Sequence, residues 1–444
     1  MSAPESTAPK ANLSLVDGIG LTVGIIIGIG IFKTPQLVAA NVDSGAAFIG
    51  LWLVGGFITL VGALVYAELA AAYPSTGGEY YFLRRALGPQ VSLLFAWARM
   101  TVIQTGAIAA VAFVLGDYAQ QIAPLGRWGS SIYAAGTLIV LTMINLRGSR
   151  PSTNFQKVVE LLTIGALLAV VAIGLSSSVA APAAPAAQAT GAGAAGLAMV
   201  FILLTYGGWN EAAYLSAELR DAKRNMARML VIGTLVVICL YLLINLTFLK
   251  LLGLEGIRRS DAVAAEALSR VVGDTGAIVI ALIICGAAIT TLNATIFTGA
   301  RLYHAIGRDL PSLWKLSFWE TQGDKPTNAI LLQSAIALAL IIFGAMTRDG
   351  FKAMVEYTAP VFWFFLLLVG ISFFVLRHRE PEQERPFRVP LYPFTPGLFC
   401  LTCGYLLYSS LVYTGLGALV GIAVLILGVP LLLLARGRPL QAAE

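Results

Sequence analysis

The stretch GIIIGIGIFKTP, residues 24–35, interrupts the first long apolar segment of the chain. Glycine weakens a helix interior and proline removes an amide donor, so this run predicts a break in a helix. In hydrocarbon, unpaired backbone groups are tolerated only where they line a buried cavity or site. A second interrupted segment, LLTYGGWNEA, follows at residues 203–212. Two broken helices at corresponding positions of two halves are typical of secondary transporters, so the sequence predicts transport of a small polar solute.

The composition places the chain in a membrane. Hydrophobic residues make up 58% of the 444 residues and charged residues 12%, which excludes an ordinary soluble protein. Apolar stretches of about 18 residues or more can cross a bilayer. Twelve such segments are present, so we predict an all-α integral membrane protein with twelve transmembrane helices. The four cysteines lie in apolar segments as small packing residues, and neither a metal site nor a cofactor is predicted.

The distribution of basic residues predicts the orientation. With the N-terminus inside, most of the 29 Lys and Arg residues fall in cytoplasmic loops, as the positive-inside rule requires. We therefore expect a multi-pass protein of the cell inner (plasma) membrane with both termini in the cytoplasm. The net charge of +6 follows from this bias, so nucleic acid is not an expected partner. The expected partners are the lipid bilayer and a small-molecule substrate, and no obligatory protein partner is predicted.

Five motifs resemble, in the expected order, those of the amino acid–polyamine–organocation transporters. They are GIIIGIGIF, PSTGGEYYFLRRALGP, YGGWNEAAYLSAELRDAKRN, TLNATIFTGARLYHAIGRD and LRHREPEQERPFRVPLYP. The closest likeness is to the branch that contains the L-type amino acid transporters. The resemblance implies the LeuT fold, which has five helices, an inverted copy of them and two further helices. It also implies secondary-active transport of amino acids or related amines, without ATP hydrolysis or other enzymatic chemistry.

The resemblance also predicts how the chain is divided. The expected parts are a cytoplasmic tail (1–13), a first five-helix repeat (14–178), an external Ala/Pro/Gly-rich linker (179–195), a second, inverted repeat (196–378), a cytoplasmic connector with helices 11 and 12 (379–436) and a cytoplasmic tail (437–444). The composition of the linker indicates a flexible tether without chemistry of its own. The substrate site is therefore expected between the two repeats, where their broken helices meet.

An α-amino acid is a zwitterion, and both of its charges need partners inside a membrane. Half-helix N-termini present free amides to a carboxylate, and free carbonyls at half-helix C-termini accept an ammonium group. By resemblance, seven residues at the two breaks are expected to form the site: Ile26, Gly28, Ile29, Gly30, Leu204, Thr205 and Gly207. Amides of the first break would face the carboxylate, and carbonyls of both breaks would face the amine. The open alternative is that these glycines only permit close helix packing.

Two positions depart from the family pattern and bear on the substrate. Ile29 stands where the family usually has Ser or Thr, and Leu204 stands where an aromatic outer gate is common. Both make the pocket more apolar, and no acidic side chain is clearly placed for a cationic substrate tail, so neutral L-amino acids are favoured. Glu211 follows the second break and either compensates the helix dipole or acts on the substrate amine or a proton. The alternatives are transport of cationic amino acids or amines, and a solute sensor that does not transport.

Four positions bear on whether a proton or a sodium ion drives transport, together with Asn293 beside them. Many sodium-independent relatives carry a lysine in helix 5, and Thr163 aligns with that position. Glu160, one turn away, is a candidate titrating group with Arg99 as its partner, or the two form a structural pair. Three polar residues of the eighth apolar segment either bind an ion, satisfy the unwound backbone or bond to their own helix: Thr290, Thr291 and Asn293. We expect transport that does not depend on sodium.

Overall fold

The computed structural model describes residues 13–75, 77–148, 153–181, 192–217, 219–309, 315–320, 325–347, 349–412 and 415–430. Most of the predicted N-terminal tail and linker, and the whole predicted C-terminal tail, lie outside these residues. The described residues are helical and contain two isolated β-bridges but no β-strand. The prediction of an all-α chain is therefore confirmed for this part of the molecule.

Seventeen α-helices follow one another along the described chain. They are α1 (Leu15–Ile26), α2 (Thr34–Ala39), α3 (Gly45–Ala72), α4 (Gly78–Leu87), α5 (Pro89–Ala98), α6 (Gln104–Ile122), α7 (Gly129–Leu146), α8 (Thr153–Ser176), α9 (Ala192–Thr205), α10 (Trp209–Ala212), α11 (Ala222–Arg259), α12 (Val263–Val272), α13 (Asp274–Asp309), α14 (Thr327–Ala345), α15 (Gly350–Arg379), α16 (Phe394–Val412) and α17 (Leu416–Ile426). A π-helical turn, Arg99–Ile103, joins α5 to α6 without a break.

Nine helical stretches within the described residues are long and apolar enough to cross a membrane. They are α3, α5 with α6, α7, α8, α11, α13, α14, α15 and α16. The other predicted segments are the two broken ones and the last one, of which α17 is the described part. The chain is thus a multi-pass membrane protein, as its composition predicts.

The first predicted break is confirmed. α1 begins at a capping box in which the Ser14 Oγ and the Asp17 carboxylate each accept the other residue's amide at 3.2 Å. The helix ends at Ile26, and Gly28 is extended, with φ −85° and ψ −178°. A 3₁₀ turn, Ile29–Phe32, follows before α2 begins with a proline in its first turn. There the missing N–H leaves no helical bond unmade.

The second predicted break is confirmed as well. α9 ends at Thr205, and the short α10 begins at Trp209. Between them Gly208 has a φ of 107°, and a Cβ there would lie 2.8 Å from the carbonyl oxygen of Ile25. Only glycine fits this conformation and this close approach. The second break therefore packs directly against the end of α1.

The helices run between two faces of the molecule. On the face where α3 ends, the Arg85 guanidinium binds the Glu380 carboxylate at 2.8 and 2.9 Å, and the Tyr73 hydroxyl donates to the same carboxylate at 3.1 Å. These contacts join the end of α3 to α4 and to the end of α15. We call this the basic face, because Arg84, Arg85 and residues 377–388 lie on it, and the other side is called the opposite face. The short helix α12, with the sequence VAAEALSRVV, follows the end of α11 and lies on the opposite face.

Candidate functional site

A cavity of about 380 Å³ lies between the two breaks. Its walls come from the end of α1 and the 3₁₀ turn, from α6, from the end of α9 with α10, and from α13 and α15. All seven residues that the sequence predicts for the site line this cavity. The fold thus brings together two groups of residues that are separated by more than 170 positions in the chain.

Hydrogen bonds within the first break leave only some of its backbone groups free. The Gly28 amide donates to the Ile26 carbonyl at 2.7 Å, and the Tyr241 hydroxyl donates to the same oxygen at 3.0 Å. The expectation that both groups face the substrate therefore needs correction, because a tight turn already pairs them. Ile29 and Gly30 open the 3₁₀ turn, where a helix has no internal partner for its first amides. Within the described part of the chain those two amides have no hydrogen-bond acceptor, so they are available to bind an anion.

The second break shows a similar division. The Leu204 carbonyl accepts the Gly207 amide at 3.1 Å, so it is less available than the sequence suggests. The Thr205 carbonyl accepts no hydrogen bond from the described part of the chain, and it is the better acceptor for an ammonium group. The Thr205 hydroxyl contacts the Thr34 hydroxyl at 2.6 Å and donates to the Phe201 carbonyl at 2.9 Å. This contact joins α9 to α2 beside the cavity.

A charged cluster lies at the end of the cavity nearer the basic face. The Arg99 guanidinium is 3.3 Å from a carboxylate oxygen of Glu79 and 3.0 Å from one of Glu211. The buried Glu79 also accepts the Tyr66 hydroxyl at 2.7 Å and the Asn210 amide group at 3.0 Å. Arg99 begins the π-helical turn, a feature that is frequent at functional sites. The cluster therefore connects α4 and α10 to the stretch Pro89–Ile122, which consists of α5, this π-helical turn and α6 and is called the third span.

The structure adds an ion pair with Arg99 to the two roles that the sequence leaves open for Glu211. Its carboxylate is half exposed, lines the cavity and pairs with Arg99 rather than only compensating a helix dipole. The sequence pattern placed no acidic side chain clearly for a cationic substrate tail, and the fold brings the Glu211 carboxylate to the cavity wall. Sequence reasoning also missed Asn210, whose side chain accepts the Gly208 amide at 3.2 Å. The GGWN sequence was the available signal, since a polar side chain two residues after a glycine pair can accept the amide of the second glycine, at the start of the new helix.

The structure separates the four residues considered for coupling. Among the described residues, only Thr291 of the four lines the cavity. The Thr163 and Thr290 hydroxyls donate to carbonyls of their own helices, both at 2.8 Å. Glu160 lies against α1, and a Cβ on Gly24 would come within 1.2 Å of its carboxylate oxygen. Gly24 therefore makes room for this carboxylate one turn before the break.

Asn293 takes part in a contact between helices. Its side-chain oxygen accepts the Asn145 side-chain amide at 2.7 Å, and Asn145 also donates to the Leu141 carbonyl at 2.9 Å. Asn293 is not among the residues that line the cavity. This geometry favours a structural role in joining α13 to α7. No group of His, Cys, Asp or Glu side chains in the described ranges could hold a metal ion.

The cavity is open towards the basic face. Glu211, Ile25 and Thr298 lie on that side and are exposed, Ile25 by 36% and the Glu211 side chain by 50%. Towards the opposite face the walls become apolar, with Val111 of α6 and Phe351 of α15. The site therefore combines an open, charged end with a closed, apolar end.

The chain is similar in sequence to known amino acid transporters. Residues 13–432 match the family model described as amino acid permease. The human b(0,+)-type amino acid transporter 1 is 29% identical over 418 residues, which cover 92% of this chain and 84% of that protein. The human large neutral amino acids transporter small subunit 2 is 28% identical over 442 residues, covering 95% of this chain and 80% of that protein. The chain therefore belongs to the amino acid permease family, in the L-type branch of the amino acid–polyamine–organocation superfamily, whose members are transporters and not enzymes.

Proposed function

We propose that the chain is a secondary-active amino acid transporter that works by alternating access, by uptake or exchange. One observation carries the proposal: Ile29, Gly30 and Thr205 line the same cavity, and among the described residues the first two amides and the Thr205 carbonyl have no hydrogen-bond partner. Such groups satisfy a zwitterion without a charged side chain inside the membrane. The names of the similar human proteins also support amino acids as the substrate class.

The proposal includes the LeuT arrangement and the predicted division of the chain. In this proposal the nine long apolar helical stretches, the two broken segments and the segment that contains α17 count as twelve crossings, grouped as five, five and two. The concentration of Lys and Arg on the basic face supports a cytoplasmic position for that face. Both termini are then cytoplasmic in the cell inner membrane, and the central cavity is open to the cytoplasm.

Neutral L-amino acids are the proposed substrates. The side chains of Ile29 and Leu204, and Val111, Phe351 and Val355 at the closed end, present apolar surface to the cavity. Burial of apolar surface contributes about 25 cal/mol per Å², so such walls favour an apolar substrate side chain.

Transport of cationic amino acids is the second candidate, because of Glu211. This carboxylate faces the cavity, and it shares the single guanidinium of Arg99 with Glu79. A carboxylate at the cavity wall could pair with a basic substrate side chain. The same arrangement also serves a transporter of neutral substrates, by holding α10 to the third span.

The function is tested with the purified chain in proteoliposomes. A thermal-shift screen against the amino acids identifies a ligand, and its radiolabelled form is then used for uptake. We expect saturable uptake that is accelerated by the same amino acid inside the vesicles, without any added protein partner. Binding without uptake would indicate a sensor, and uptake only after addition of a second subunit would contradict the proposal that the chain acts alone.

The two substrate classes are separated by Glu211→Gln, with Glu266→Gln on α12 as a matched control. Glutamine keeps a hydrogen bond to Arg99 but removes the negative charge. We expect leucine uptake with little lysine uptake in all three proteins. If the wild type transports lysine, and Glu211→Gln loses lysine uptake but keeps leucine uptake, the second candidate replaces the first.

A further inference from the structure

Lys33 is a buried cation that the transport site does not use. It lies directly after the first break, its side chain is 2% exposed, and its Nζ is 2.9 Å from Asp117 and 3.5 Å from Asp261. Taking an ammonium group out of water is unfavourable by several kcal/mol unless it is paired. These contacts are therefore what permits Lys33 to be buried.

The three charges belong to three separate elements. Lys33 precedes α2, Asp117 lies in α6 and Asp261 precedes α12. Each carboxylate is held by a further contact: the Gln36 side-chain amide donates to Asp261 at 3.2 Å, and the Ser130 hydroxyl donates to Asp117 at 2.7 Å. The cluster thus joins the half-helix after the first break to the third span and to the helix on the opposite face.

Neighbouring hydrogen bonds hold the same elements together. The Tyr118 hydroxyl donates to the Phe32 carbonyl at 2.9 Å, and the Arg258 guanidinium donates to the Ala39 carbonyl at 2.7 Å. Both acceptors are backbone groups close to or within α2. The half-helix is therefore fixed on both sides, by α6 and by the segment that leads to α12.

A second cavity, of about 820 Å³, lies on the opposite face, and Lys33, Asp117 and Asp261 line it. Along α6, Val111 lines the central cavity, whereas Phe113 and Asp117 line the second one. At the start of α2, Thr34 lines the central cavity, and the preceding residue, Lys33, lines the second one. The pair therefore lies at the junction between the cavities, where a path from the opposite face to the site must pass.

Aromatic side chains complete the barrier at this junction. The Phe113 ring packs so closely against Gly350 that a Cβ there would lie 2.3 Å from it. The next residue, Phe351, lines the central cavity. Phe113 and Phe351 thus lie beside the Lys33–Asp117 pair where the two cavities approach each other, and separating α2 from α6 would break that pair.

We propose that Lys33, Asp117 and Asp261 form the latch of the outer gate, and that the Lys33–Asp117 pair separates whenever the central cavity opens to the opposite face. The proposal rests on the alternating-access function, in which each face opens in turn. Lys33 acts here as a positioning residue and does not touch the substrate. Loss of the latch shifts the equilibrium towards the state that is open to the opposite face.

The test measures access to the cavity rather than transport. Ala107, which is exposed at the cavity wall, is changed to cysteine in a protein whose four native cysteines are replaced. Labelling by a membrane-impermeant maleimide is followed from each face in reconstituted vesicles. In Lys33→Met we expect labelling from the opposite face to accelerate by about tenfold and labelling from the basic face to slow. Lys33→Arg should restore both rates.

The matched control is Lys250→Met. Lys250 is a second lysine near the opposite face, and it binds the Leu175 and Ser177 carbonyls at 2.7 and 2.6 Å, away from α2 and α6. Its removal should leave both labelling rates unchanged. If Lys33→Met does not fold, Asp117→Asn removes the same pair while keeping the shape of the side chain, and the same acceleration is expected.

Unchanged labelling from the opposite face in a folded Lys33→Met or Asp117→Asn protein would overturn the latch. An equal acceleration in Lys250→Met would also overturn it, since the effect would then not depend on the junction. Uptake measured in parallel separates the two ideas. Faster labelling in a protein that never transports supports the latch and contradicts the proposed function. Normal transport with unchanged labelling supports the proposed function and contradicts the latch.

Discussion

Gly30 gives the most direct test of where the substrate carboxylate binds. Its amide is one of the two at the first break that have no hydrogen-bond acceptor among the described residues. A Cβ at this position would lie 3.4 Å from the Thr205 hydroxyl oxygen and 3.5 Å from the Thr205 methyl group, which are ordinary contact distances. Alanine therefore fits without displacing Thr205. Valine adds two methyl groups beyond that Cβ. They would either collide with Thr205 or fill space in the cavity that the substrate needs.

The size of the effect follows from this difference. Overpacking a filled site costs about 1–3 kcal/mol, and a β-branched side chain has little freedom to turn away. If the backbone of the first break shifts to relieve this strain, its amides no longer have the geometry that binds the substrate. Substrate affinity then falls by about 5-fold to 150-fold. Gly30→Val should therefore lose most binding and uptake. Gly30→Ala should lose much less.

The assay compares the two variants with wild type and with Gly20→Ala. Gly20 lies in α1, and a Cβ there meets no atom within 4 Å, so this variant controls for a methyl group added elsewhere in the helix. Melting temperature and gel-filtration profile establish folding in detergent before affinity is measured. A folded Gly30→Val protein with near wild-type affinity would refute the reasoning, because the carboxylate could then not lie against this backbone.

Three further predictions concern the pocket, the coupling and the basic face. Leu204→Ala removes apolar cover from the cavity, so it should lower the uptake rate, widen the range of accepted substrate sizes and cost about 2 kcal/mol of stability, because Leu204 is only partly buried. Uptake should persist when choline replaces sodium, and if it depends on pH, Glu160→Gln should flatten that dependence. The Arg85 guanidinium, with the Tyr73 hydroxyl, holds the pKa of the Glu380 carboxyl below its usual value near 4.5. Because the folded-state pKa is the lower one, the stabilisation is present above the unfolded value and is lost as pH falls through the folded one. The melting temperature of wild type should therefore fall more steeply than that of Glu380→Gln between about pH 5 and pH 3.

Each of these has an outcome that contradicts it. An unchanged substrate range in folded Leu204→Ala would remove Leu204 from the pocket. Uptake that vanishes without sodium would point to an ion site near Thr290 and Thr291, and an unchanged pH profile in Glu160→Gln would assign Glu160 a structural role. Parallel acid melting curves for wild type and Glu380→Gln would show that the Arg85 contact does not stabilise the fold.

The sequence predicts the two breaks well because their causes are local. Glycines, a proline and the surrounding apolar residues decide within a few positions whether a helix can continue. The partners of Arg99 were not predictable in the same way. Glu211 is 112 positions away, and nothing in the local pattern near either residue indicates that they meet. The same is true of Gly24, which makes room for the carboxylate of Glu160, a residue 136 positions further along the chain.

Composition, hydrophobic run length and glycine placement thus determined that the chain is helical, crosses the membrane many times and breaks two of its helices. They also carried the family resemblance, since each motif is a continuous stretch. Only the tertiary structure decided which amides and carbonyls remain free, which carboxylates share Arg99 and which end of the cavity is closed. The physical reason is that these properties depend on distances between segments far apart in the chain. Hydrogen bonds and ion pairs act over a few ångströms, and only the folded arrangement sets those distances.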